Sequence, residues 1–268
     1  MSGKVILESQ GVSKRFGDYT AVDKVSYQVR EGEAAGIIGP NGAGKTTFFN
    51  LLTGLFPPSE GTVRFLDHDI TSMGPDQRVG LGIVRTFQLV SVFDTLSVLD
   101  NLILAVVRSS GEFSNKPRFL FGPSHPKHVE DECRVALEMV GIADKSALMT
   151  SNLSYGDKRK LEIALALALK PRVLLLDEPL AGLSDAEIIE VMELMKQVQG
   201  DLTMVIIEHK ISQLVGLVSR LSVMHEGRLI IEGEPEEILS DPTVRHVYWG
   251  EDVISPTSGP DREAQLGD

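Results

Sequence analysis

The stretch GPNGAGKTT, Gly39 to Thr47, constrains this chain more than any other. It fits G-x-x-x-x-G-K-[ST], follows the apolar run EAAGIIG, and opens a helical run at Lys45. A strand, a tight loop and a helix are therefore expected in succession. Gly39, Gly42 and Gly44, with Pro40, Asn41 and Ala43 between them, let backbone N–H groups converge on phosphate oxygens, and the helix start adds partial positive charge. Lys45 is then expected to bridge β and γ phosphates, and Thr46, followed by Thr47, to offer its hydroxyl to Mg²⁺.

A metal held this way needs a carboxylate at the end of a neighbouring apolar strand, and VLLLDE supplies Asp177 with Glu178 directly after it. The pairing predicts a division of labour. Asp177 holds the metal through its shell, and Glu178 polarises a water for attack on the γ phosphate.

Around these motifs the periodicity changes twice. The first ninety residues read as short strands and turns, interrupted by one helix from Lys45. From Leu96 to Leu169 apolar residues recur three and four apart, predicting a helical insert over about residues 91–165. Strands return at Val173 to Asp177 and Thr203 to His209 around a helix from Asp185 to about Val198, a βαβ pattern that implies a parallel sheet. RLSVMHEGRLIIEGE reads as a closing hairpin. One domain is expected over residues 1–250. The stretch 108–128 is expected to be exposed or mobile, and so is the tail over 251–268, which is poor in apolar residues from Ser255 onward.

Composition narrows the partners. Of the 268 residues, 42 % are hydrophobic and 24 % charged, enough to bury a sizeable core. The single Cys133 excludes an internal disulfide framework and fits a reducing compartment. No apolar run reaches the roughly 18 residues needed to cross a bilayer. The net charge of −12 disfavours nucleic acid as a main partner.

A third motif gives the first two a family. LSYGDKR, from Leu153, stands about twenty residues before the Asp-Glu strand end. With it, the chain resembles the ATP-binding subunit of an ATP-binding cassette (ABC) transporter over about residues 4 to 250. The fold this implies is an α/β P-loop NTPase (RecA-like) with a mixed sheet core, an antiparallel β subdomain and an inserted α-helical signature subdomain. The resemblance also assigns roles: Phe16 in SKRFG stacks on adenine, with Tyr19 as its rival; Gln88 in RTFQ senses Mg²⁺ and the membrane partner; His209 in IIEHK is the switch histidine. His68, His125, His128, His225 and His246 have no such context and read as structural or solvated.

It further implies a head-to-tail dimer, in which Ser154, Tyr155 and Gly156 of one chain close over the ATP held by the other. The activity implied is ATP hydrolysis coupled to transport, with ATP and Mg²⁺ as cofactors. Implied partners are a homodimer mate or a second cassette subunit, two transmembrane permeases and, indirectly, a solute-binding protein. The implied location is the cytoplasmic face of the membrane. Tyr155, RTFQ, the long insert after LSVLDNL, AGLS, IIEH and VYWGED are similar to the branched-chain amino-acid uptake branch. The alternatives are an amide or urea importer, a lipopolysaccharide-export cassette, or a soluble cassette outside transport.

Three positions depart from the family pattern: Asp157 where Gln is usual, Ser184 where Asp or Asn is usual, and Lys210 where Asp is common. Asp157 is expected to bring negative charge toward a partner's triphosphate, offset by Lys158, Arg159 and Lys160. Phe119, Leu120 and Phe121 are candidates for a membrane-subunit contact or for a local cluster.

Overall fold

A computed structural model of the chain describes residues 3–86, 92–110, 127–200, 202–209 and 211–249. The expectations for Gln88, for Lys210, for His125, for Phe119 to Phe121 and for the tail over 251–268 lie outside these residues.

Two sheets lie among the described residues. The first is antiparallel, in the order β2 (Tyr19–Arg30), β1 (Val5–Phe16), β4 (Glu60–Phe65), β5 (His68–Asp69). The second runs β10 (Arg228–Gly233), β9 (Arg220–His225), β3 (Ala34–Ile38), β8 (Thr203–Ile207), β7 (Val173–Asp177), β6 (Ile83–Arg85). From β9 to β6 its strands are parallel, and β10 closes one edge in antiparallel pairing with β9. Every residue of β3, β7 and β8 is buried, as expected of strands covered on both faces. That explains why their sequences are continuous apolar runs without alternation.

Helix α1 (Lys45–Leu52) buries Phe48, Phe49, Leu51 and Leu52 in a core that also includes Val12, Tyr27 and Val29 of the antiparallel sheet and Ile37, Leu175 and Val205 of the mixed one. A second helix, α2 (Pro75–Gly80), was not legible in the periodicity, because six residues carry fewer than two turns of pattern. It delivers Arg78, fully buried, whose guanidinium donates to the carbonyls of Leu51 and Leu52 (both 2.8 Å) and so satisfies the end of α1. Burial lowers its pKa to about 10.

On the other side lies a larger core. The helices α3 (Val98–Ser110), α4 (Lys127–Met139) and α5 (Tyr155–Ala168), which fall in the chain between β6 and β7, pack on one another there. Asn101 ties the entry of α3 to the loop before α5, donating to the carbonyls of Phe93 and Ser97 and to the Thr150 hydroxyl. Cys133 is buried in α4, and burial pushes its thiol up to about 11. Helix α6 (Asp185–Val198) completes the βαβ unit between β7 and β8, starting at a capping box between Ser184 and Glu187. The short α7 (Ile211–Leu214) precedes β9, and α8 (Pro235–Ser240) and α9 (Pro242–Trp249) follow β10. Among the described residues no helix is long and apolar enough to cross a membrane.

Candidate functional site

The register of the mixed sheet assembles the site. Ile37 of β3 and Asp177 of β7 both pair with Ile207 of β8, so three neighbouring strands end level. The loop 39–44, the pair Asp177 and Glu178, and His209 emerge side by side at that edge, where open parallel sheets place their ligands. Phe16, Tyr19, Asn41, Gly42, Ala43, Gly44, Lys45, Thr46, Thr47, Glu178 and His209 line one polar cleft of about 330 Å³. Asp177 lies behind it, wholly buried.

The loop before α1 is tightly held. Gly44, at φ +97, caps the helix, and a Cβ there would stand 2.4 Å from the Ala21 carbonyl, so no larger residue fits. The Lys45 ammonium donates to the carbonyls of Gly39 (2.6 Å) and Pro40 (3.0 Å), which folds the loop around it. Burial lowers its pKa, against the pull of Glu178 and Asp177. Thr46 is exposed at the mouth. Phe16 packs edge-on against Phe56 with centroids 5.6 Å apart, whereas Tyr19 is 61 % exposed, so both candidates present an aromatic surface at the cleft.

The two carboxylates differ sharply. Asp177 Oδ2 accepts from Arg85 Nη2 at 2.5 Å, and Arg85 also donates to Asn50 of α1. Burial raises the Asp177 carboxyl above its ordinary value, with Arg85 pulling the other way. Its Oδ1 is buried and has no hydrogen-bond partner among the described residues. Glu178 sits at φ +50, a left-handed conformation costly for a residue with a Cβ. Its amide donates to the Ile207 carbonyl (2.9 Å), and its Oε1 lies 2.8 Å from His209 Nε2.

Several residues around the cleft escaped the sequence reading. Glu208, buried, accepts from the amides of Leu180 (2.8 Å) and His209 (3.1 Å), clamping the turns after β7 and β8 together. Burial raises its carboxyl, which those two amides counter. Arg85 gave no signal because its partner Asp177 is distant in sequence. His68, His128 and His246 are exposed, His225 is half-buried, and none of the four lines the cleft.

Ser154, Tyr155 and Gly156 are not part of that cleft. Ser154 is the N-cap of α5, accepting from the Asp157 amide, and Ser154 and Tyr155 are exposed. Two of the chain's own carboxylates close this helix start. Asp157 Oδ2 accepts from Ser154 Oγ (2.9 Å) and from Lys145 Nζ (2.7 Å). Burial opposes its ionisation, but the Lys145 and Ser154 hydrogen bonds outweigh that and hold the carboxyl below its ordinary value. Glu187 of α6 packs on Gly156 so closely that a Cβ there would stand 2.2 Å from Oε1. Hydrogen bonds from Ser184, and after them one from the Gly156 amide, lower the Glu187 carboxyl.

Of the three cations that follow Asp157, Lys160 offsets it at a distance. Lys158 pairs with Asp94 (2.7 Å), Lys160 with Glu190 (2.5 Å), and Arg159 turns into the interior, so the direct partner of Asp157 is Lys145. Lys145 lies in the 3₁₀ turn over Ala143–Lys145, which pattern alone could not bring to α5.

Residues 22–181 match the ABC transporter family. The chain belongs to that family. It is an ATP-binding cassette, the nucleotide-binding, ATP-hydrolysing subunit of such a transporter. Over 253 residues the cassette is 38 % identical to the high-affinity branched-chain amino acid transport ATP-binding protein LivG of Salmonella typhimurium, covering 92 % of this chain and 98 % of that one. It is 33 % identical over 247 residues to the lipopolysaccharide export system ATP-binding protein LptB of Acidithiobacillus ferridurans, covering 92 % and 97 %. Among solved structures it is similar to an ATP-binding cassette of an ABC transporter in its ADP conformation, with TM-score 0.81, 31 % identity, and coverage of 92 % and 100 %.

Proposed function

We propose that this cassette energises import of branched-chain or closely related amino acids, working as a dimer on two membrane subunits at the cytoplasmic face. The observation that carries the reading is the 38 % identity to LivG across 98 % of that protein's length. The apolar cleft of about 470 Å³ lined by Val84, Phe93, Leu104 and Leu165, beside Arg85 and Thr86, supports a membrane-subunit contact. The cassette's mate is a second copy or a related subunit, and a solute-binding protein delivers the cargo to the permeases.

In the proposed cycle ATP lies along the loop 39–44 with its adenine on Phe16 or Tyr19, and Lys45 exchanges its loop carbonyls for β and γ oxygens. Water attacks the γ phosphorus, its proton passes to Glu178, and the bond from the γ phosphorus to the β–γ bridging oxygen breaks, leaving ADP and phosphate. His209, already 2.8 Å from Glu178, orients the carboxylate. The residues fit Mg²⁺: Asp177 Oδ1 is a buried oxygen without a hydrogen-bond partner among the described residues, and the Thr46 hydroxyl is exposed at the cleft. Thr46, Asp177 and Gln88 would hold the ion, which would supply positive charge against the phosphate oxygens. Ser154 and Gly156 of each chain close over the ATP of the other through a hydroxyl, an amide and a helix N-terminus.

The test is uptake of labelled leucine, isoleucine and valine by cells carrying either the intact cassette or Lys45→Ala, with the cognate permeases. Loss of all three uptakes is expected. Unchanged uptake with loss of urea or amide transport would move the cargo to that class, and accumulation of lipopolysaccharide at the inner membrane would move the cassette to export.

A second prediction concerns Asp157. In a Glu178→Gln background, Asp157→Gln is expected to lower the ATP concentration for half-maximal dimerisation only about threefold, since Lys145 already pairs with the carboxylate. Light scattering against ATP concentration reads it directly. An unchanged half-point would remove Asp157 from the account of closure.

A further inference from the structure

Helix α5 makes a contact deep in the molecule that the cycle above does not use. Arg159 is 1 % exposed. Its Nη1 donates to Glu162 Oε2 one turn along (2.7 Å), and its Nη2 to the backbone carbonyl of Glu178 (3.3 Å). The amide of Glu178 is held by Ile207 and its carboxylate by His209. The left-handed peptide at φ +50 is thus gripped by β8 on one side and α5 on the other. A strained conformation of this kind persists where its surroundings over-determine it.

Glu162 explains how a guanidinium comes to be there. A buried cation needs an opposite charge, and the i, i+3 carboxylate supplies it from the same helix. Glu162 is also a wall of the apolar cleft beside Val84 and Leu165. The pair therefore spans from that cleft to Glu178, and Ser154, the N-cap of α5, stands five residues before Arg159.

We propose that Arg159 is a positioning residue for Glu178: it holds the Glu178 carbonyl in the turn that aims the carboxylate into the cleft, making that aim depend on where α5 sits. Movement of α5, whether from Ser154 gripping a second copy's ATP or from an occupant of the Glu162 cleft, then reaches the base in the same chain. The inference rests on the proposed role of Glu178 as the base.

The test compares Arg159→Met, Glu162→Gln and the double variant Arg159→Met/Glu162→Met in the full-length chain. The readouts are turnover, ATP affinity from displacement of a fluorescent nucleotide, and thermal unfolding. Arg159→Met is expected to lower kcat roughly 10- to 100-fold, the scale of a misplaced reacting group, with ATP affinity unchanged within about twofold. Glu162→Gln is expected to lower kcat about three- to tenfold. The double variant removes both charges together, so unfolding temperature should return toward that of the unaltered chain while kcat stays low. A merely structural pair would recover both.

Wild-type turnover in the double variant, or a fall in ATP affinity equal to the fall in kcat, would overturn the proposal. If Arg159→Met does not fold, the double variant decides alone. A Glu178→Gln chain that hydrolyses normally would remove the base and this inference with it. An inactive Glu178→Gln chain beside a normal double variant would remove Arg159 only.

Discussion

Glu178→Gln is expected to slow ATP turnover by about 10²- to 10⁴-fold, the range for loss of a positioned general base, while ATP affinity stays near that of the unaltered chain. The substitution keeps the shape of the side chain and its reach to His209, 2.8 Å away. It removes the capacity to take a proton. Lys45, the loop 39–44 and the aromatic pair at the cleft are untouched, so nucleotide still binds. In the proposed cycle the ATP-bound dimer, no longer reopened by hydrolysis, then accumulates. Quenched-flow hydrolysis and light scattering in ATP read the two halves separately. Normal turnover would transfer the base to another group, and slow turnover without an ATP-driven dimer would leave the base and overturn the shared site.

Lys45→Ala is expected to weaken ATP binding about 10- to 100-fold, from loss of charge-assisted hydrogen bonds worth roughly 1.5–3 kcal/mol, and to abolish turnover. The loop is affected as well as the ligand. The ammonium holds the carbonyls of Gly39 and Pro40, so its removal leaves those acceptors without their cation and loosens the turn that aims the amides. Lys45→Arg separates the effects: charge is retained, but a planar fork replaces a point charge in a site gated by Gly44 and the Ala21 carbonyl. Fluorescent-nucleotide titration of the three chains decides it. ATP affinity equal to that of the unaltered chain in Lys45→Ala would show that the amides alone hold the phosphates.

Much of the fold was legible because its elements announce themselves locally. Buried parallel strands are short unbroken apolar runs, as in β3, β7 and β8, and the helices α3 to α5 repeat their apolar residues at helical spacing over three turns or more. The helix α2 and the pair α8 and α9 were not read, being too short to show a period. The N-caps Ser154 and Ser184 emerged only in the structure, and the capping partner of Ser184 also reaches Gly156 on another helix.

The candidate site divides along the same line. GPNGAGKTT and the Asp177–Glu178 pair are contiguous motifs, so their chemistry is written in residue order. Arg85 with Asp177, Lys145 with Asp157, Glu208 with Leu180 and Arg159 with the Glu178 carbonyl join residues 12 to 92 positions apart, and no periodicity encodes them. Asp157 shows the cost. Lys158 and Lys160 pair with Asp94 and Glu190, Lys160 acts on Asp157 only at a distance, and the direct partner is Lys145.

By itself, then, the sequence determined which groups are available to grip phosphate, hold a metal and take a proton, because those capacities belong to residue types and short spacings. Only the tertiary structure decided how these groups are aimed and charged. The level ends of β3, β8 and β7 set the cleft, and burial sets Asp177 and Lys45 against their ordinary pKa values. Contacts from elements remote in the chain hold Glu178 in a conformation it would not adopt alone. Orientation and desolvation are properties of packing, and packing exists only once the strands and helices have met.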